Sequence, residues 1–510
     1  MLWQIKAVCA REVFLCFLSA ILLALSFSFS QCWILTWLAF LPLFLAARGK
    51  NIFQIFTLFY ITGLIFWSSA IYWLIHVTLL GQIILIAYLA LYFGIFGILI
   101  STSIKQPTSY SLLFIPSAWV LLEYIRSHLF TGFPWSLLGY SQYANLPVIQ
   151  VADIAGVWGV SFLTMMVNVA IYSGIGYRVS GIVRIKKALI PILGIIIILI
   201  YGYYKIYRIP NPESRIPLKV SVVQGNIPQV LKWHSASREF IMDRYLGLTD
   251  EVQANAPDLI IWPEASLPVV AEDEPDYYER VIRYTETMAT PLLFGAVTKR
   301  DGIYYNSALL LSKEGKLLKR YDKLHLVPFG EYIPFRNTFR FLESIVPIGD
   351  IAPGEAYTIF DLQPRELTQA GSYKFGVLIC FEDIFPDLAR GFVKRGAEFL
   401  VNITNDAWFG KTTEAYQHLA ASVFRAVENR VYVVRAANTG VSGFIDPQGR
   451  IISLVKNAGG DSIFTTGHAT QEISPQRGPT FYGRYGDSFV GICFIYIMIW
   501  AVSKRGNYHV

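Results

Sequence analysis

The chain has 510 residues, 54% of them apolar, and a formal net charge of +7. That charge is unevenly held: residues 210–486 carry 29 Lys/Arg against 32 Asp/Glu, and the rest of the chain carries 14 against 4. The surplus therefore belongs to the hydrophobic part, which excludes nucleic-acid binding as its explanation and points to a membrane.

Apolar runs predict seven membrane spans ahead of the globular region, at 12–30, 32–47, 52–75, 80–102, 109–125, 157–177 and 188–206, and an eighth at 488–503. Lys6 and Arg11 precede the first run as in a signal peptide. No small-residue cleavage site stands out and six spans follow, so a retained helix is expected. Alternating the spans from an inner N-terminus puts Lys6, Arg11, Arg48, Lys50, Lys105, Arg178, Arg184, Lys186, Lys187, Lys504 and Arg505 inside, and only Arg126, Lys205 and Arg208 outside. This bias sets 210–486 on the outer side. The expected domains are a transmembrane domain of seven helices at 1–209, a globular domain at 210–486, and an eighth helix with an inner tail at 487–510. The outer loop between spans five and six contains GFPWSLLGYSQ at 132–142, whose Phe133, Trp135, Leu137, Leu138 and Tyr140 suit a segment at headgroup level or a lipid-facing wall. Glu123 and Asp153, near span ends, are expected to be wetted carboxylates.

In the globular region, 218–225 alternates as a strand ending in a turn at Gly225, Asn226 and Pro228. A helix over 235–252 follows, then a strand at 258–262 running into Pro263 and Glu264. Helix 276–288, strand 291–298 and a strand pair 306–312/316–320 come next. Tyr321 to Pro334 reads YDKLHLVPFGEYIP; strands at 356–360 and 374–380 and a helix at 388–394 follow. Strand 398–403, helix 414–428 and strand 431–436 complete a layered α/β pattern.

Three strand ends deliver one reactive side chain each: Glu264, Lys323 and Cys380. A cysteine at a strand-to-helix turn (GVLICFED, 376–383) can meet backbone N–H groups that lower its pKa and later hold an oxyanion. Glu264 suits the general base and acid, Lys323 the stabiliser of thiolate and oxyanion, and the Phe381 N–H a second oxyanion donor. Cys9, Cys16, Cys32 and Cys493 lie in or beside spans, so Cys380 has no disulfide partner in its own domain. A Cys–His dyad with His325 or His418 is an alternative. Metal binding is not expected, because HExxH and paired cysteines are absent and only seven histidines are scattered through the chain.

WPEAS around Glu264, YDKLHLVPFGEYIP around Lys323 and GVLICFED around Cys380 resemble the Glu–Lys–Cys blocks of the nitrilase (carbon-nitrogen hydrolase) superfamily. With QGNIPQ (224–229), NITNDAWFG (402–410), the outer loop and the spans, the whole chain resembles the bacterial apolipoprotein N-acyltransferases. The resemblance implies an αββα catalytic domain on the periplasmic face of the inner membrane, inserted before the last of eight helices. It implies no cofactor, and transfer of an acyl chain through a thioester. The donor would be a membrane phospholipid, typically the sn-1 chain of phosphatidylethanolamine, and the acceptor the α-amine of a diacylglyceryl-cysteine apolipoprotein. Carried over by motif, Glu331 is an additional active-site glutamate, Glu382 the carboxylate beyond the nucleophile, and Trp233 and Trp408 pocket or loop tryptophans; Phe133 and Trp135 of the outer loop are expected at the lipid pocket from their apolar character. Phe381 departs from the tyrosine common in relatives. A membrane-tethered amidase using the same triad is the alternative, and the oligomeric state is open.

Overall fold

A computed structural model describes residues 10–105, 110–176, 181–207, 217–328, 330–332, 351–364, 371–475 and 478–506. The chain divides into two compact units, Met1–Ile209 with Tyr485–Val510, and Pro210–Arg484.

The first unit is helical: α1 (Ala10–Ser28), α2 (Leu41–Ala46), α3 (Ile52–Ala70), α4 (Leu79–Lys105), α5 (Ser111–His128), α6 (Leu146–Ile149), α7 (Ala152–Gly176) and α8 (Gly181–Tyr207). A last helix, Ser488–Gly506, belongs to it as well. α3 starts at a reciprocal cap in which the Asn51 side chain accepts from Gln54 N (2.9 Å) and the Gln54 side chain from Asn51 N (3.1 Å). Among the described residues four helices are long and apolar enough to cross a membrane: α1, α3, α4 and Ala152–Ile175 of α7. Ser30–Ala46, Ile192–Tyr207 and Ser488–Ser503 are shorter apolar helices. The expected second span is thus a 3-10 stretch, Ser30–Trp37, followed by the short α2, and the third stops at Ala70 before a separate 3-10 turn, Tyr72–His76. The core is aromatic: the Trp119 ring lies 4.9 Å from Phe40, 5.2 Å from Phe93 and 4.9 Å from Phe96.

Two expectations for this unit are corrected. The 132–142 loop folds inward: Trp135, Leu137, Leu138 and Tyr140 are buried, and Trp135 lies 5.0 Å from Trp73 and 6.4 Å from the half-buried Phe133. Buried charge draws it in, because Arg126 donates to the carbonyl oxygens of Phe133 (2.7 Å) and Trp135 (2.8 Å) and Glu123 accepts from Leu138 N (2.6 Å). Nor are Glu123 and Asp153 wetted: both are buried, and Asp153 is held by Lys205 (3.1 Å) and Tyr201 (2.7 Å).

The second unit contains strands β1 (Leu218–Gln224), β2 (Leu259–Ile261), β3 (Leu292–Arg300), β4 (Ile303–Leu311), β5 (Leu317–Asp322), β6 (Ile359–Leu362), β7 (Tyr373–Ile379), β8 (Phe399–Thr404), β9 (Tyr432–Ala437), β10 (Gly443–Ile445), β11 (Ile451–Leu454) and β12 (Gly467–Ile473). Its helices are α9 (Arg238–Gln253), α10 (Pro275–Met288), α11 (Pro386–Lys394), α12 (Glu414–Asn429) and α13 (Phe481–Tyr485), so the last helix of the first unit is α14. One sheet runs β12-β1-β2-β3-β4-β5 and the other β11-β10-β9-β8-β7-β6. Each contains three adjacent parallel strands, β1-β2-β3 joined through α9 and α10, and β7-β8-β9 joined through α11 and α12; the flanking strands are antiparallel. Apolar residues of α9 and α10, among them Met242, Tyr245 and Val281, pack on Ile260, Trp262, Leu292 and Phe294 of the first sheet. Burial of every residue of β2 and β8, and of β7 from Phe375 onward, fits their largely apolar sequences.

Candidate active site

Chemistry in sheets with parallel strands gathers at their carboxyl ends, and Glu264 and Cys380 follow β2 and β7 there. Ala265, next to Glu264, has φ +44°, and Cys380 has φ +53°. Both turns thus use left-handed backbone that non-glycine residues seldom adopt, a feature common where a side chain must be presented sharply. The parallel register pairs Ile379 with Ile403, so Thr404 lies beside Cys380 and its hydroxyl hydrogen-bonds the thiol.

Lys323 follows β5, and its backbone N–H donates to Asn306 O at 2.9 Å. Its ammonium is buried and lies 2.8 Å from Glu331 Oε2 and 3.9 Å from Glu264 Oε1. Asn306 Nδ2 bridges the two carboxylates, donating to Glu264 Oε1 (2.7 Å) and Glu331 Oε1 (2.8 Å). Val327 N holds the remaining Glu331 oxygen at 2.8 Å. Burial pushes Glu264 above the usual carboxylate range, with Lys323 opposing. Burial resists the charge on Lys323, but Glu331, Cys380 and Glu264 outweigh it and hold the ammonium above its ordinary value. Cys380 departs from the expectation of a lowered pKa: burial, reinforced by the Glu264 charge, pushes the thiol well up against the pull of Lys323. The Cys380 thiol is therefore held in its neutral form, and any attack by its sulfur would need a base to take the proton.

Glu382 is fully buried and accepts from Ile379 N (2.8 Å), Leu324 N (2.7 Å), His325 N (3.0 Å) and the Tyr321 hydroxyl (2.9 Å). Burial raises its pKa to about 7, with the N–H donors pulling the other way. It ties the turn bearing Lys323 to the strand bearing Cys380. His325 places its ring 3.9 Å from that of Phe385, and the Phe381 ring lies 5.2 Å from Phe385. Trp233 packs, half-buried, against the cluster of Val297, Leu326 and Ile351, while Trp408 is exposed on the 3-10 turn Asp406–Phe409.

His418 does not serve as a dyad base. Its Nε2 lies 2.6 Å from Asp383 and its Nδ1 3.3 Å from Asp406, and although burial opposes the charge, Asp383 and Asp406 raise its pKa to about 10. Asp406, Glu414 and His418 bring their ligand atoms within 4.8 Å of one another. An imidazolium donating from both nitrogens has no lone pair for a metal. Arg435 (2.8 Å) and Ser422 complete the shell around Asp383. Sequence reasoning missed Asn306, Thr404, Asp383 and Lys232. Lys232 is buried and donates to Glu264 O at 3.0 Å.

Residues 19–170 match the apolipoprotein N-acyltransferase N-terminal domain and residues 219–469 the carbon-nitrogen hydrolase domain. An apolipoprotein N-acyltransferase of Geobacter metallireducens is 39% identical over 96% of this chain and 94% of its own. One from Brucella melitensis is 32% identical over 83% and 77%, and one from Rickettsia prowazekii 30% over 86% and 84%. An amidase from Nesterenkonia sp. covers 54% of this chain and 96% of its own at 17% identity and a TM-score of 0.39, a likeness that adds nothing to the assignment. Matched over nearly its full length, the chain belongs to the apolipoprotein N-acyltransferase family.

Proposed function

We propose that the chain moves an acyl group from a membrane phospholipid, through a thioester on Cys380, to the α-amine of a diacylglyceryl-cysteine apolipoprotein. Family membership makes it a membrane-bound N-acyltransferase of lipoproteins. The observation that carries the mechanism is the buried pair Glu264 and Lys323, whose charges both act on the Cys380 thiol, with Glu331 holding the Lys323 ammonium at 2.8 Å.

In the first half-reaction Glu264 takes the thiol proton while Sγ bonds to the ester carbonyl carbon. Lys323 and the Phe381 N–H hold the oxyanion; the C–O bond breaks and Glu264 returns the proton to the departing lysophospholipid alkoxide. In the second, the neutral amine attacks the thioester, Glu264 accepts its proton, and the thiol is restored. An amine with an unperturbed pKa near 8 is sufficiently neutral for this at ordinary pH. Glu331 and Asn306 hold Lys323 and Glu264 in place. Both substrates are lipids, so a pocket opening toward the bilayer suits them, and each methylene kept from water contributes roughly 0.8 kcal/mol.

The charge asymmetry supports eight spans, an αββα catalytic domain at 210–486 on the periplasmic face of the inner membrane, and cytoplasmic termini. The sn-1 chain of phosphatidylethanolamine is the proposed donor. Incubating purified protein with labelled phospholipid and a dilipidated peptide tests the reading by the mass of the peptide. Gain of one acyl group is expected. Release of free fatty acid with the peptide unchanged would favour the hydrolytic alternative.

A further inference from the structure

Lys232 lies in the segment between β1 and α9, immediately after a 3-10 turn, Gln229–Leu231. Contacts on both sides fix the segment. Ile227 N donates to Asn438 Oδ1 at 2.8 Å and Asn405 Nδ2 to Gln229 Oε1 at 2.8 Å, while Trp233 packs against Leu326 and Ile351. Lys232 is 3% exposed, and among the described residues its ammonium donates to the backbone carbonyl of Glu264, at 3.0 Å. A lysine placed there has no structural need of charge, since a neutral donor would serve one carbonyl equally well.

The charges of the site show what a cation does there. Glu264 and Glu331 are two carboxylates sharing Lys323, and Lys323 is much closer to Glu331, at 2.8 Å, than to Glu264, at 3.9 Å. With Lys232 counted, these four groups are neutral. Without it they leave one net negative charge where a thiolate and then an oxyanion must form. Glu382 is served by its own four donor groups, and Asp406 by His418 and Thr404. Among the described residues, Glu264, Lys323 and Asp406 are the charged groups that bear most on the Cys380 sulfur, and Lys323, Glu331 and Lys232 those that bear most on Glu264.

We propose that Lys232 is the second cation of the active centre, a positioning residue whose charge keeps Glu264 ionised as the base and favours negative charge on the Cys380 sulfur. This rests on Glu264 and Cys380 being the base and nucleophile of the proposed reaction. Burial lowers the Lys232 pKa to about 8, with Glu264 and Cys380 opposing, so its charge is present at neutral pH and is lost just above it.

The test is the rate of Cys380 alkylation by iodoacetamide from pH 5 to 10, followed by peptide mass spectrometry on the full chain in detergent, with Cys9, Cys16, Cys32 and Cys493 as internal controls. In the unaltered protein the rise of rate with pH should flatten near pH 8, where Lys232 sheds its proton. Lys232→Met removes charge and hydrogen bond; Lys232→Gln removes the charge and keeps an N–H donor. Both should react about tenfold more slowly at pH 7 and lose the break, as one pKa unit of lost charge stabilisation requires. A wild-type profile without the break overturns the proposal, as does a Lys232→Gln profile matching wild type, which would leave the lysine a hydrogen-bonding residue. The readout uses no lipid. A failed shift therefore leaves acyl transfer standing, and failed acyl transfer leaves the shift interpretable.

Discussion

Gly295→Ala probes how tightly the base is held. Gly295 lies in β3, where its N–H donates to Pro263 O at 3.1 Å and its carbonyl accepts from Leu267 N at 3.3 Å and Ser266 Oγ at 3.1 Å. The strand thus grips both ends of the turn that presents Glu264. A Cβ at this position would stand 2.5 Å from Ala265 N, 2.6 Å from Glu264 Cα and 2.7 Å from Pro263 O. All three are backbone atoms, so no rotamer change makes room. Restoring ordinary contact displaces the turn by about 1 Å, and strain of this kind destabilises by about 1–3 kcal/mol. A 1 Å displacement of a reacting group lowers its rate on the order of 10²-fold. Single-turnover acylation by phospholipid, measured beside thermal unfolding, separates the two effects. The expected result is a folded protein with a somewhat lower melting temperature and a loss of roughly 10²-fold in acylation. A folded G295A variant that acylates within about threefold of wild type, a difference under 1 kcal/mol, would refute the reasoning.

Cys380→Ser should abolish turnover, since Glu264 is too weak a base for a serine hydroxyl; activity of the purified variant within about tenfold of wild type would contradict this. Glu264→Gln and Lys323→Ala should each leave a folded protein that fails to form acyl-enzyme at the normal rate in single-turnover acylation by phospholipid. Glu382→Ala strands the Ile379, Leu324 and His325 N–H groups and the Tyr321 hydroxyl. It should destabilise by about 3 kcal/mol or more in thermal unfolding, with the loss of activity following from misplacement of Lys323. Acylation should fall as pH drops through the raised Glu264 pKa, because the base works only when ionised; a limb at or below the ordinary carboxylate range would show that burial does not govern it.

The strands that carry Glu264 and Cys380 were legible because both are buried on two faces and read as short apolar runs ending in reactive residues. β3 and β4 were read too short: the aromatic and charged stretch KRDGIYY hides a hairpin that pairs Arg300 with Ile303. β10, β11 and β12 went unread, since three- and four-residue strands and the polar edge strand GHATQEI carry little periodicity. Within the candidate site, Glu264, Lys323 and Cys380 could be singled out from their positions after strands. Asn306 could not, because it is brought opposite Lys323 by a β-bulge between Leu310 and Leu311 that shifts the pairing by one residue. Lys232 and the Asp383–His418 pair gave no signal either. Their roles arise from burial and from contacts distant in sequence, as with His418 reaching Asp383 across 35 positions. The thiol pKa was expected to move the wrong way, because backbone N–H groups are visible in a motif and desolvation is not.

A covalent acyl intermediate on Cys380 can be caught by intact-protein mass spectrometry after incubation with phospholipid alone. A species heavier by one acyl group, mapped to Cys380, is expected; it should disappear when a diacylglyceryl peptide is added and leave that peptide heavier by the same amount. Normal transfer to the peptide with no adduct on Cys380 at any time, and intersecting rather than parallel double-reciprocal plots, would contradict it.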